Sequence, residues 1–138
     1  MKMKVVLDEG AILPTKAHAL DAGYDLYSRE DGVIFPNSRA LFDTGVHMAI
    51  PAGYEGHIRP RSGMMVKKGC ITDGTIDSGY VGSIGVILFN LSGKLVEIKR
   101  GDRIAQIVIE PIIDSEMEVV ESLDETERGA DGFGSTGF

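Results

Sequence analysis

Long apolar runs, cysteine and positive charge are all scarce in this sequence of 138 residues. No stretch approaches the roughly 18 to 20 apolar residues that a membrane-spanning helix needs. The opening Met1-Lys2-Met3-Lys4 leads into no signal-peptide core. A soluble, cytoplasmic protein without a membrane partner is therefore expected. The one cysteine, Cys70, excludes an intrachain disulfide and reads as a small buried hydrophobe. With no Cys/His cluster, nothing suggests a zinc site, and His18, His47 and His57 share no spacing typical of a metal site or a catalytic triad. Lys and Arg number 14 against 21 Asp and Glu, a net charge of -7 that argues against general nucleic-acid binding. An acidic chain can still bind an anion locally. Arg59, Arg61, Lys67 and Lys68 fall close together around Gly63, although such a run also reads as a solvated basic face.

Glycine is what the sequence has in plenty. Eighteen Gly and five Pro punctuate short apolar runs, a pattern of many tight turns that predicts an all-β fold. The length suits one domain with one core. Strands are expected over residues 2–7, 32–36, 39–42, 46–50, 95–99 and 104–109, and residues 21–27 read as a turn feeding a short strand. The last of these is a buried strand carrying Gln106, whose amide needs a partner if it points inward. The only helix expected begins with Ser62 as N-cap and is stopped by Gly69. Amides near Ser62 to Met64, the Ser62 hydroxyl and the Arg61 guanidinium could converge there on phosphate oxygens. Residues 116–127 are acidic and read as solvated.

Residues 74–90 organise the rest. Asp77 precedes the turn signal Ser78-Gly79, with Tyr80 beyond, which puts an acid and an aromatic ring at the tip of a hairpin. From Ser83 small and large residues alternate through Val86, Leu88 and Phe89, as in a strand largely buried on both faces. A rigid strand behind a carboxylate fixes where it points, as chemistry at one atom requires. Taken alone, Asp77 also reads as a hairpin Asp bonding its own backbone. The last eleven residues, from Arg128 to Phe138, have the composition of a flexible tail. They also hold the parts of a phosphate clamp: Gly134, Gly137 and the hydroxyls of Ser135 and Thr136 can surround an anion, Arg128 adds charge, and Phe133 offers a flat ring to a base.

Five segments in order, Ala22-Gly23-Tyr24-Asp25-Leu26, Pro60-Arg61-Ser62-Gly63, Gly74 through Gly82, Gly101-Asp102-Arg103-Ile104-Ala105-Gln106 and Arg128 through Gly137, resemble the five motifs of the trimeric dUTPases. That resemblance implies a jelly-roll-like β subunit of the β-clip kind with one short helix, assembled as a homotrimer with active sites at subunit interfaces. Residues 1–127 would form the β domain and 128–138 an arm closing over substrate. The implied reaction is magnesium-dependent hydrolysis of dUTP to dUMP and pyrophosphate, with Asp77 as the base that deprotonates water attacking the α-phosphorus. By the same resemblance Tyr80 would exclude a ribose 2′-hydroxyl, and Arg61, Ser62, Gly63 and Gln106 would hold phosphates. Asp25 would position hydrated Mg2+ through water. Arg128 would reach the γ-phosphate, Phe133 would cover the uracil, and Gly134, Ser135 and Thr136 would complete the clamp.

Many relatives carry Asn six residues before the catalytic Asp, where this chain has Ile71. Backbone at Gly74 and Ile76 is therefore expected to read the uracil, the missing side chain of Gly74 allowing close approach. A dCTP deaminase, similar in fold, relies on a glutamate in its site, whereas no acid occurs here between Asp77 and Glu97. A regulatory module acting through a protein partner is the alternative from another class.

Overall fold

The computed structural model describes residues 1–137; Phe138 lies outside the described residues. Eleven strands and one helix are found among them. In chain order the strands are β1 (Val5–Leu7), β2 (Tyr24–Tyr27), β3 (Gly32–Ile34), β4 (Arg39–Asp43), β5 (Val46–Met48) and β6 (Tyr54–Arg59). Helix α1 (Ser62–Lys68) follows, then β7 (Cys70–Ile71), β8 (Gly74–Ile76), β9 (Gly85–Asn90), β10 (Val96–Ile98) and β11 (Arg103–Pro111). The expectation of an all-β protein with one short helix holds. No helix among the described residues is long and apolar enough to cross a membrane.

Two antiparallel sheets, one of four strands in the order β2-β11-β6-β8 and one of three in the order β4-β9-β7, share a single core with the ribbons β1-β5 and β3-β10. Alternation along each strand explains why. Gly56 and Ile58 of β6 turn inward, as do Val86, Leu88 and Asn90 of β9 and Val96 and Ile98 of β10. They meet Leu26, Ile34, Phe42, Cys70, Ile104 and Ile107, all at most 2% exposed. Each such aliphatic side chain stabilises the fold by about 1.5–3 kcal/mol relative to exposure. Cys70 is buried as expected, and that burial pushes its thiol pKa up.

Four local expectations are corrected. The first strand covers only Val5–Leu7. Strand β9 is buried on one face, not two: Ile87 and Phe89 point outward, 43% and 38% exposed. The N-cap of α1 is Arg61 in extended conformation with no side-chain cap bond, and Ser62 is the first helical residue. The other end is as expected, since Gly69 at φ 66° closes the helix in the left-handed region and its N–H bonds Met65 O.

The fourth correction concerns the organising hairpin. Strand β8 pairs with β6, whereas β9 pairs with β4 and β7, so the two belong to different sheets. The turn at Asp77, closed by Tyr80 N–H donating to Asp77 O (3.1 Å), is a crossing between sheets. Gly79 at φ 92° supplies the left-handed step that the crossing needs.

Asn90, wholly buried, pins the end of β9. Its amide donates to the carbonyls of Ile34 (3.0 Å) and Lys94 (2.7 Å), and its Oδ1 accepts from the Ser92 N–H (2.9 Å) and hydroxyl (2.7 Å). Asn90→Ala strands these buried groups at roughly 1–3 kcal/mol each, so a total loss of about 3 kcal/mol is expected by urea unfolding. A loss below about 0.5 kcal/mol would show that water or a rearranged turn replaces the amide without cost.

Candidate active site

Strand β11 bonds β2 along one edge and β6 along the other, with Asp25, Gln106 and Arg59 aligned on one rung. Between Arg103 and Ala105 its register against β2 slips. Such a bulge re-aims side chains. Residues three apart on a regular strand face opposite ways, but here Arg103 and Gln106 line the same cleft. That cleft, about 280 Å3, is also bordered by Asp21, Gly23, Asp25, Arg61 and Ser62.

Asp25 lies at its centre with its side chain only 15% exposed. Its Oδ1 accepts from Arg61 Nε (3.0 Å) and its Oδ2 faces Arg103 Nη1 (3.7 Å). Arg61 Nη1 also donates to Arg103 O (3.2 Å), so a carboxylate and a carbonyl hold the guanidinium in one orientation. Gln106, the amide in need of a partner, donates to Pro60 O (3.0 Å) and fixes the chain just before Arg61. Gly23 is required there, because a Cβ would collide with the Gln106 side chain. The result is a cleft with two guanidinium groups, one buried acid and a fixed amide, open beside the exposed Ser62 and Gly63. Such a site suits a polyanion.

The other expected basic residues are elsewhere. Lys67 and Lys68 close the C-terminal turn of α1, where the helix dipole favours cations, and border a different cleft. Arg59 pairs with Glu110. Glu55, His57 and Glu110 form the one group of metal-ligating side chains close enough to share an ion among the described residues. The Arg59 guanidinium already occupies it. The Asp73 carboxylate, 3.0 Å from His57 Nε2, and then Glu110 hold the His57 pKa above its ordinary value.

Asp77 and Tyr80 are exposed on the turn after β8. Strands β8 and β2 are opposite edges of the four-stranded sheet. Three strand spacings, about 14 Å, therefore separate the edge that leads to Asp77 from the edge bearing Asp25. One chain does not bring them together. Gly74 and Ile76 sit on β8 against Ile58 and Gly56, their backbone at the sheet's outer edge. The Tyr80 ring folds over Gly82, where a Cβ would collide with it, and its hydroxyl donates to Ser83 O (2.8 Å).

The C-terminal residues also stand apart from the cleft. After Ile112 N–H donates to Gly53 O (2.9 Å), every residue from Ile113 to Asp131 is exposed. Tight turns follow: Arg128 Nε donates to Asp131 O (2.9 Å), Ser135 N–H to Gly132 O (3.2 Å) and Gly137 N–H to Gly134 O (2.9 Å). Phe133, at φ 54°, presents its ring fully to solvent. Thr136 lies in the same run of turns, exposed.

Sequence reasoning gave no role to Arg103, Gly82 or His47. Strand parity hides Arg103, since only the bulge turns it into the cleft. Gly82 carried a signal in its spacing of two from Tyr80, although nothing in the sequence says the ring folds back.

A family model described as dUTPase matches residues 9–137. Among curated proteins, the chain is 48% identical over 140 residues to the deoxyuridine 5'-triphosphate nucleotidohydrolase of Clostridium tetani, covering 99% of this chain and 96% of that one. It is 49% identical over 138 residues to the enzyme of the same name from Eremothecium gossypii, covering 98% and 90%. Among solved structures it is similar to the Staphylococcus bacteriophage 80alpha dUTPase with dUPNHPP, at TM-score 0.90 and 34% identity over 99% of each chain. It is also similar to a mutant dUTPase of phage phi11 of S. aureus, described with a structural Mg(II) ion, at TM-score 0.82 and 32% identity over 88% of this chain and 98% of that one. The motifs, the mostly β architecture and the full-length matches agree, and the chain belongs to the dUTPase family.

Proposed function

We propose that the protein is a dUTP nucleotidohydrolase that cleaves dUTP to dUMP and pyrophosphate, working in the cytoplasm as a homotrimer. The observation that carries this reading is the cleft in which Asp25 orients Arg61 between Arg103 and Gln106, in a chain of this family. A triphosphate carries several negative charges that repel an attacking water, and fixed guanidinium groups offset them where charge shifts in the transition state. Arg61, Ser62, Gly63 and Gln106 hold the phosphates. Asp77 accepts the proton of a water whose oxygen attacks the α-phosphorus, and pyrophosphate leaves.

The separation of Asp77 from that cleft within one chain supports an assembly of copies such as the homotrimer, because a second copy is then needed to complete the site. Backbone at Gly74 and Ile76 reads the uracil, and the Tyr80 ring crowds out a ribose 2′-hydroxyl. In the arm, Arg128 neutralises the γ-phosphate, Phe133 stacks on the base, and Gly134, Ser135 and Thr136 donate to phosphate oxygens. The full exposure of the Phe133 ring supports this role, since an apolar surface of that size gains by being covered.

Magnesium fits this donor set only through water. Both Asp25 oxygens face guanidinium groups, yet a carboxylate has about four lone-pair sites, which leaves capacity for a metal-bound water. Mg2+ keeps several waters and takes few protein ligands beside substrate phosphates, so Asp25 would hold its hydration shell while the ion neutralises phosphate charge.

Pyrophosphate release from dUTP, dCTP, dTTP and UTP in parallel, with and without magnesium, tests the reading. Release from dUTP alone, dependent on magnesium, is expected; ammonia from dCTP or silence on all four would overturn it. Asp77→Asn is expected to lower turnover by about 10²–10⁴ while nucleotide affinity is kept. Turnover near that of the unaltered protein would remove Asp77 as the base. Ending the chain at Glu127 is expected to leave the same thermal unfolding midpoint with poor dUTP hydrolysis, whereas full activity would take the arm out of the mechanism.

A further inference from the structure

The segment 77–83, which carries Asp77 and Tyr80, has three side-chain moorings. Ser78 donates to Ile50 O (3.0 Å), and Ser83 donates to Asp43 Oδ1. Between them, Val81 O lies 2.8 Å from Nδ1 of His47. On the far side of the same ring, Nε2 lies 3.0 Å from Asp8 Oδ2. His47 is paired with Val6 across the β1-β5 ribbon and is the outward residue between the buried Val46 and Met48. Its ring therefore bridges the first ribbon to the residue immediately after Tyr80.

Both partners of this ring are acceptors. A carbonyl offers no proton, and neither does an ionised carboxylate, whereas a neutral imidazole has a single N–H. Both bonds can be made together only by the imidazolium. The Asp8 carboxylate is kept in place by Arg29, whose Nη1 lies 3.2 Å from it and 3.3 Å from Asp43 Oδ2. Asp43 in turn accepts from the Ser83 hydroxyl and the Gly45 N–H (3.1 Å). The groups facing His47 are thus Asp8 from the turn after β1, Asp43 from β4, and Lys4, which borders a small cleft with His47 and Val81, while Arg29 from beyond β2 stands behind the two acids. Of the three moorings, the other two use hydroxyl donors, which do not titrate near neutrality. Only the one at Val81 can be switched by a proton.

We propose that His47 is a positioning residue for sugar discrimination, its imidazolium tethering Val81 and so holding Tyr80 where it excludes a 2′-hydroxyl. This rests on the reading of Tyr80 above. The hydrogen bond to the Val81 carbonyl, followed by that to Asp8, holds the His47 pKa above the ordinary imidazole value. The tether is therefore complete below the unfolded pKa and is lost as pH rises through the folded one. Above that point the one remaining N–H stays on Nε2, where the ionised Asp8 carboxylate makes the stronger, charge-assisted bond, and the Nδ1 lone pair then faces the Val81 carbonyl, so the bond given up is the one to Val81.

The ratio of kcat/KM for dUTP to that for UTP, measured from pH 6 to 9.5, isolates this effect. Titrations of Asp77, magnesium and the phosphates act on both substrates and cancel in the ratio. For the unaltered protein the ratio is expected to fall by about threefold to tenfold, the worth of one hydrogen bond, with its midpoint at the His47 pKa read from the ring proton by NMR. His47→Asn places an amide N–H that does not titrate where Nδ1 meets the Val81 carbonyl, so its ratio is expected to stay flat. His47→Leu, with no donor, is expected to show the low ratio at every pH. A flat ratio through the measured His47 titration, or an unchanged pH dependence in H47N, overturns the proposal. The backbone amides of Tyr80 and Val81 supply a readout independent of turnover: they are expected to shift with the His47 midpoint, and amides that ignore it also overturn the tether. Amides that follow His47 in a protein without dUTP hydrolysis would uphold the tether and overturn the catalytic reading instead.

Discussion

Strand β11 is hydrogen-bonded along both edges, and the candidate site depends on that pairing. A strand fixed by β2 on one side and β6 on the other has little freedom to slide, because a shift of one residue would turn Ile104 and Ile107 out of the core. Register is thus set by apolar burial, and the polar residues inherit their positions from it. Gln106 is set opposite Asp25 on one side and Arg59 on the other, and the bulge before Ala105 turns Arg103 toward the same cleft. The core and the polyanion cleft are two faces of one constraint.

Asp25 shows how such a site holds charge without a cage of acids. One carboxylate facing two guanidinium groups leaves donors of both arginines free for an anion in a protein whose net charge is -7. The acid lowers the cost of gathering the two cations and aims Arg61 at the same time. Asp21, on the rim of the cleft, accepts from the His18 N–H (2.9 Å) and forms no ion pair with either guanidinium. Farther along the sheet, Glu110 and Asp73 are spent on Arg59 and His57.

Local chemistry was legible in the sequence wherever one residue decides the backbone. Gly69 ended the helix, Gly79 made the turn beyond Asp77, and alternation at 46–48 gave a half-buried strand. Gln106 announced the need for a partner, though not that Pro60 O would meet it. What the sequence could not carry was pairing. A turn flanked by two strand-like runs looks the same whether they pair with each other or diverge, so β8 and β9 read as a hairpin although they enter different sheets. The same limit hid Arg103, whose orientation comes from a bulge, and His47, whose partners at Asp8 and Val81 are remote in the chain. Roles for Asp77 and the arm residues were available only through family resemblance, since composition alone gives a turn acid and a flexible tail.

The exposed apolar residues give association between copies a physical basis independent of family. On the outer face of the three-stranded sheet Leu41 stands opposite Ile87, and Ile71 opposite Phe89, in adjacent register. Ile113, Val119 and Leu123 are at least 87% exposed along the chain that leaves β11. Isolated apolar residues on a surface are ordinary, but paired rows on a sheet and a succession along an extended segment are surfaces that gain by association. Burial at about 25 cal/mol per Å² favours covering them. On the proposed reading, a second copy is also what would bring an Asp77 to the cleft at Asp25. On the proposed role of Asp77, the same contacts would both stabilise the assembly and complete the chemistry.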